Sequence, residues 1–242
     1  MNKKYVTATN ALVVVNIMAF MLVNAVFGGK NSGLELYFLQ NPNYEPWQFV
    51  SYMFLHGSWT HLGFNMLGLW MFGQVLERFW GYKKFLIFYA ATGVGAAILY
   101  MAINHLQFQS AIEPALQSAI PMENLLAVFA QGQYYSEFPE TGEAAQIFLA
   151  PMVGASGAIY GILVAFACLF PNFKMALIFL PVPVAAKYFV PALLLLDLFS
   201  GVTGFSIFGG NNVAHFAHIG GAIIGAIIMV LWGRESPYMR RK

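Results

Sequence analysis

The sequence predicts an all-α, polytopic membrane protein built as a six-transmembrane-helix bundle, and three observations carry that prediction. The chain is 59% hydrophobic and only 9% charged over 242 residues, with a mean hydropathy of +0.64, whereas soluble domains carry roughly 25% charged residues. A soluble fold of this length could not hide so much apolar surface, so the bilayer must act as part of the solvent. Charge-free runs of bilayer length recur along the chain, and the basic residues cluster on alternate connections.

Asp, Glu, Lys and Arg are absent from Tyr5 to Gly29, Pro46 to Leu76, Phe85 to Ile112, Ala144 to Phe173 and Leu198 to Gly233. Each run reaches or exceeds the roughly 20 residues a helix needs to cross the hydrocarbon. A further apolar stretch, Met175 to Leu196, is broken only by Lys187. The expected spans are about 7–28, 58–77, 84–105, 152–171, 186–206 and 212–233, forming a single membrane domain over 1–242. The first is expected to remain as a span, because it is too long for a cleaved signal segment.

Between spans 1 and 2 lies an outer loop of about 29–57, with a turn at Asn41-Pro42-Asn43 and then Trp47 and Phe49, aromatics suited to a membrane interface. A longer outer loop, about 106–151, holds five acids, and its stretch Met122 to Phe129 is expected to form a short interfacial helix. Pro181 and Pro183 argue against helix before Lys187. Span 5 therefore starts near that lysine, whose stem can snorkel to the inner surface, and 175–185 becomes an inner connection. This places Asp197 near mid-membrane, either as a hydrogen-bonded structural acid or as a polar contact that controls the mobility of span 5. Cys168, inside span 4, is expected to be a small buried apolar residue. A single cysteine excludes an internal disulfide and a thiolate metal cluster.

If the spans alternate, Lys3, Lys4, Arg78, Lys83, Lys84, Lys174, Arg234, Arg240, Arg241 and Lys242 share one side. The positive-inside rule makes that side cytoplasmic, with both termini on it. Lys30 and the acids Glu35, Glu45, Glu113, Glu123, Glu137, Glu140 and Glu143 fall on the other.

Polar groups are costly in a bilayer, so their recurrence at one depth is informative. His56, His61 and Asn65 lie near the outer end of span 2. Gly154-Ala155-Ser156-Gly157 and then Tyr160 lie near that of span 4. His215 and His218 lie near that of span 6. A serine hydroxyl becomes a useful nucleophile when a base takes its proton, and histidine is the usual base. His61 and Asn65, four apart on a helix, share a face and can both donate hydrogen bonds to a developing oxyanion, as can the Ser156 amide. Gly157 with Gly161, and Gly221 with Gly225, form small-residue faces that let two helices approach closely, bringing Ser156 within reach of His218. His56 and His215 lie closer to the outer surface and are expected to be structural. His105, at the outer end of span 3, is expected at the interface.

At these residues the chain resembles the rhomboid intramembrane serine proteases. The resemblance rests on His61-x-x-x-Asn65, Gly154-x-Ser156-Gly157 and Ala217-His218-x-x-Gly221, and extends over the six-span core. It implies a rhomboid-like bundle with Ser156 as nucleophile and His218 as base, in a Ser–His dyad with no acidic third member. It further implies His61, Asn65 and the Ser156 amide as the oxyanion hole beside Gly154, Tyr160 stacked on the catalytic histidine, and a structural His56. Span 5 resembles the family's proposed lateral gate. The implied substrates are transmembrane proteins cut within or near the outer half of the bilayer, without metal, ATP or other cofactor. The implied setting is a bacterial cytoplasmic membrane. Two departures stand out: Trp47-Gln48 where many members carry Trp-Arg, and an unusually long second outer loop.

Two other readings compete. A protein that captures transmembrane clients without cutting them would be expected to lack Ser156 or His218. A transporter should show polar groups along a path to the inner side, and Asp197 is the only deep acid. The chain carries no nucleic-acid signature.

Overall fold

The computed structural model describes residues 7–29, 32–177, 180–205 and 215–233; side chains 176, 177 and 180–182 lie outside that description. The basic tails, Lys30, the expected end of span 5 and the expected start of span 6 also fall outside it.

Helix α1 (Ala8–Phe27) starts at Thr7, whose hydroxyl accepts the Asn10 amide, and ends at a left-handed Gly28. The 29–57 connection, expected on the outer side, contains a single turn of helix, α2 (Gln48–Ser51), and a 3₁₀ turn over Tyr52–Phe54. Helix α3 (Trp59–Gly68) is capped by the Ser58 hydroxyl. It passes through a π turn at Leu69–Gly73 into α4 (Gln74–Trp80). Gly81 separates this run from α5 (Tyr82–Gln117), which is 36 residues long. Two short helices follow, α6 (Met122–Ala130) and α7 (Thr141–Leu149), then α8 (Ser156–Leu169). An antiparallel hairpin, β1 (Lys174–Leu177) with β2 (Leu180–Ala185), leads to α9 (Ala186–Thr203). The last element is α10 (His215–Leu231).

Helices α1, α5 and α9 are long and apolar enough to cross a membrane, while α8 and α10 are apolar but shorter. The surface is inverted relative to a soluble protein. Met18, Leu22 and Val26 of α1, Leu195 and Val202 of α9, and Val230 of α10 are exposed, whereas Thr9, Asn16, Gln48, Thr92, Asn104, Asp197 and Ser200 are buried. In water so large an apolar surface would drive association; in lipid the polar groups are the ones that must turn inward.

Three regions hold more regular structure than the sequence reading gave them, and the last corrects the all-α class. The helix that carries span 3 runs beyond 105: α5 continues to Gln117 because Phe108, Ala111, Ile112 and Ala115 keep its buried face at helical spacing. Its length is about 54 Å at about 1.5 Å per residue, some 20 Å more than the hydrocarbon is thick. A helix can continue beyond the stretch that hydropathy marks for the membrane. The second outer loop contains α7 as well as the expected helix at 122. Its buried Thr141, Ala144, Ala145 and Phe148 show the same spacing. Finally, the inner connection 175–185 falls in a two-stranded hairpin, so the chain is mostly but not wholly helical. Pro181 and Pro183 are tolerated there because both strands of such a hairpin are edges.

The second outer loop packs onto the extension of α5 through Phe108, Phe129 and Phe148. It also fastens the first outer loop. Leu36 and Met152 form an isolated antiparallel bridge, and the Asn41 side-chain amide donates through Nδ2 to the Phe148 carbonyl at 2.6 Å. Gln48 occupies the position of the missing arginine and is fully buried. It accepts from the Tyr37 amide at 3.2 Å and donates to the Asn43 and Gly33 carbonyls at 2.8 and 3.3 Å. A neutral amide, with donor and acceptor on one head, therefore holds this loop through its backbone without a charge.

Glu77, in α4, anchors the other end of the bundle. Its carboxylate accepts from the Ala8 and Thr9 amides at 2.7 and 2.8 Å and from the Thr9 hydroxyl at 2.7 Å. It thereby satisfies donors that the start of α1 leaves open and complements that helix's positive end. Glu77→Ala is expected to cost about 2–3 kcal/mol, the scale of losing hydrogen bonds to a charged group. A denaturant midpoint in mixed micelles measures this; a midpoint equal to wild type would remove Glu77 from the account.

Candidate active site

The centre of the bundle is built on small residues. A Cβ placed on Gly221 of α10 would lie 1.8 Å from the Gly157 carbonyl oxygen of α8, and one on Gly225 would lie 2.8 Å from the Gly161 Cα. On its other side α8 meets α5, where a Cβ on Gly157 would approach the Ala96 methyl to 2.6 Å. Backbone thus touches backbone, and a short serine side chain can reach across to α10.

Ser156 opens α8, whereas the sequence placed it a turn inside its helix. The difference matters chemically, because the first amides of a helix have no internal partner. The Ser156 N–H can therefore point at a ligand. The Ser156 hydroxyl lies 2.8 Å from His218 Nε2. The Tyr160 ring stacks on the His218 imidazole at 4.2 Å and 9°.

His61 and Asn65 lie against the segment that leads into Ser156. Gly154 has a φ of +124° and donates its amide to the Tyr52 carbonyl at 3.0 Å. A Cβ there would meet His61 Nε2 at 2.7 Å and Asn65 Nδ2 at 3.7 Å, so both geometry and space require glycine. His61 Nδ1 accepts the Gly57 amide at 3.4 Å, which puts the ring proton on Nε2, the atom turned towards Gly154. His56 is buried and packs edge-on to His61 at 5.0 Å. Burial, with His61 adding to it, lowers the His56 pKa to about 3, so this ring stays neutral beside the site.

The feature that sequence reasoning missed is the surroundings of Asp197. His218 Nδ1 lies 3.1 Å from Asp197 Oδ1, and His215 Nδ1 lies 2.6 Å from the same oxygen. The Tyr160 hydroxyl donates to Asp197 Oδ2. The resemblance implied a dyad with no acid behind the base, yet this structure has a carboxylate there. A signal existed: His215 and His218 are three apart on one helix, and the chain's single deep acid lies on the helix before it. These three side chains also place ligand atoms within 4.8 Å of one another, close enough to hold a metal ion.

A family model described as "Rhomboid domain" matches residues 43–235. The chain belongs to the rhomboid family. It is accordingly an integral membrane protein, consistent with its apolar helices. Among similar proteins, Rhomboid protease AarA of Providencia stuartii is 29% identical over 200 residues, covering 77% of this chain and 56% of that protein. Rhomboid protein 1, mitochondrial, of Saccharomyces cerevisiae is 25% identical over 174 residues, covering 72% of this chain and 38% of its own. Rhomboid protease GluP of Bacillus subtilis is 31% identical over 97 residues, covering 38% of this chain and 19% of that protein. This rhomboid thus spans little more than half the length of the first relative and less of the other two.

Proposed function

We propose that this rhomboid is a serine endopeptidase that cleaves transmembrane protein substrates within or near the outer half of the bilayer. The observation that carries the reading is the 2.8 Å approach of the Ser156 hydroxyl to His218 Nε2, between helices whose glycines permit it. His218 takes the hydroxyl proton as Ser156 attacks the scissile carbonyl. The oxyanion that forms is met by the Ser156 amide, by His61 through Nε2 and by Asn65 through its side-chain amide; each such donor is worth about 10²–10³ in rate. His218 then protonates the departing amine as the C–N bond breaks, and water hydrolyses the acyl-enzyme by the same route in reverse. Gly154 keeps the oxyanion donors close, and Tyr160 holds the imidazole plane.

The six spans form one membrane domain, with both termini on the cytoplasmic side and the serine near the opposite surface. A bacterial cytoplasmic membrane fits the compact topology and the bacterial relatives, although relatives also include mitochondrial proteins.

The test is labelling by a serine-directed phosphonate, followed by peptide mapping, beside turnover of a single-span substrate in liposomes. Wild type is expected to carry the label on Ser156. Ser156→Ala should carry none and show no turnover while remaining folded. Wild-type turnover by Ser156→Ala would reject Ser156 as the nucleophile, and absence of both label and turnover in wild type would favour a client-binding protein.

A further inference from the structure

We infer that Asp197 is a positioning residue of the catalytic centre, holding His218 in the tautomer whose free Nε2 accepts the Ser156 proton. The inference rests on the protease reading above and adds a third member to its Ser–His pair. It departs from the dyad that the family resemblance implies.

The geometry leaves few alternatives for the protons. As a carboxylate, Asp197 can only accept hydrogen bonds. Its Oδ1 faces Nδ1 of both His215 and His218, at 2.6 and 3.1 Å. Both rings therefore carry a proton on Nδ1, and in a neutral His218 this leaves Nε2 with its lone pair. That lone pair faces the Ser156 hydroxyl. Neutral histidine in water has no such fixed choice, and a base protonated on the wrong nitrogen cannot take the serine proton. When His218 becomes an imidazolium during attack, the carboxylate behind it also stabilises the new charge without taking the proton.

The other contacts hold Asp197 where this role needs it. The Tyr160 hydroxyl binds Oδ2 while the same Tyr160 ring stacks on His218. One side chain thus ties acid and base together. His215 adds a second donor to Oδ1, so the carboxylate cannot rotate away without breaking bonds to two neighbours. The Asp197 side chain is only 8% exposed and those of His215 and His218 only 13% and 12%, which keeps water from substituting for these partners. A buried carboxylate used only for packing would need donors, but it would not need to meet the nitrogen opposite the one that faces the nucleophile.

The acid also arrives on a separate helix. Ser156 lies on α8 and His218 on α10, whereas Asp197 lies on α9. Catalytic competence therefore depends on α9 being docked with its buried face, which includes Val190, Asp197 and Ser200, against its neighbours.

Two measurements test this. The first uses wild-type protein labelled with ¹⁵N-histidine in detergent at neutral pH, with His218→Ala to assign the resonances. His218 is expected to show a protonated Nδ1 and an unprotonated Nε2. A protonated Nε2 would overturn the proposal, and the reading holds or fails whether or not a substrate is cut. The second is Asp197→Asn in the full chain. The turnover number is expected to fall by about 10⁴-fold, the scale of a triad acid's loss of charge, with KM within about twofold. Phosphonate labelling of Ser156 should slow in parallel. In a His218→Ala background the same change should cost nothing further, since a residue acting through His218 has nothing left to act on.

A turnover number within threefold of wild type, or an undiminished further loss in the His218→Ala background, would overturn the proposal. So would loss of turnover on chelation with recovery on adding zinc, because an ion held by Asp197, His215 and His218 leaves no proton on His218 Nδ1. Labelled, essential Ser156 with an inert Asp197→Asn change rejects only the acid. Unlabelled, dispensable Ser156 rejects the protease reading itself.

Discussion

His218→Ala is expected to lower the turnover number by about 10⁴-fold or more, the scale lost when the base of a serine hydrolase is removed. Phosphonate labelling of Ser156 should fall with it, because the inhibitor requires the same activated hydroxyl. The informative comparison is His215→Ala. Both histidines reach Asp197 Oδ1, but only His218 also reaches Ser156. Without His215, Asp197 keeps two partners, the Tyr160 hydroxyl and His218, so turnover should remain within about tenfold of wild type, the scale of losing one supporting hydrogen bond. Substrate turnover and labelling, measured side by side for both variants, check this. If His215→Ala is inactive and His218→Ala is not, the base has been assigned to the wrong ring.

Gly221→Ala is expected to cost about 10²-fold or more in turnover, although Gly221 carries no chemistry. Its Cβ would sit 1.8 Å from the Gly157 carbonyl oxygen and 2.6 Å from the carbon of the same group. These are backbone atoms, so no rotamer change relieves the overlap and the two helices must part. Ser156 immediately precedes Gly157, and His218 lies one turn before Gly221, so the separation falls directly on the 2.8 Å contact between them. A misplacement of about 1 Å at reacting groups costs on the order of 10²-fold in rate. Overpacking adds about 1–3 kcal/mol of instability. Gly63→Ala supplies the control. A Cβ there meets nothing within 4 Å, and alanine favours helix over glycine by about 1 kcal/mol. Turnover within about twofold of wild type is expected for Gly63→Ala, and an at least hundredfold loss for Gly221→Ala. Equal activity in the two would mean that α8 and α10 adjust to each other more freely than their contact implies.

How far the sequence reached differs from region to region. The helix carrying Ser156 was legible as an uncharged run, and its Gly157 and Gly161 as a close-packing face, because lipid imposes both constraints locally. The continuation of α5 past His105 was also written in the spacing of Phe108, Ala111, Ile112 and Ala115. Hydropathy does not reach it, because Gln107, Gln109, Ser110 and Glu113 make those turns more polar than a membrane span. Helix α7 was missed for the same reason. Gln48 illustrates the opposite limit. Its type announced the absence of an arginine, but the three backbone groups it holds come from residues 33, 37 and 43, and no local pattern says that these converge.

Ser156, His61, Asn65 and His218 could be placed near one depth from the sequence alone. Charge-free runs and the side on which basic residues fall give each residue a coordinate along the membrane normal, and that coordinate is a property of the chain. The position of Asp197 behind His218 could not be read in this way. The two side chains belong to different helices, and which faces of α8, α9 and α10 turn towards one another is decided in the plane of the membrane. There the apolar lipid exerts no preference between helix neighbours, and close contact between glycines and the hydrogen-bonding needs of a buried carboxylate make the choice. The nearness of Ser156 and His218 was therefore visible in one dimension, whereas the contact between His218 and the Asp197 carboxylate exists only once the helices have packed.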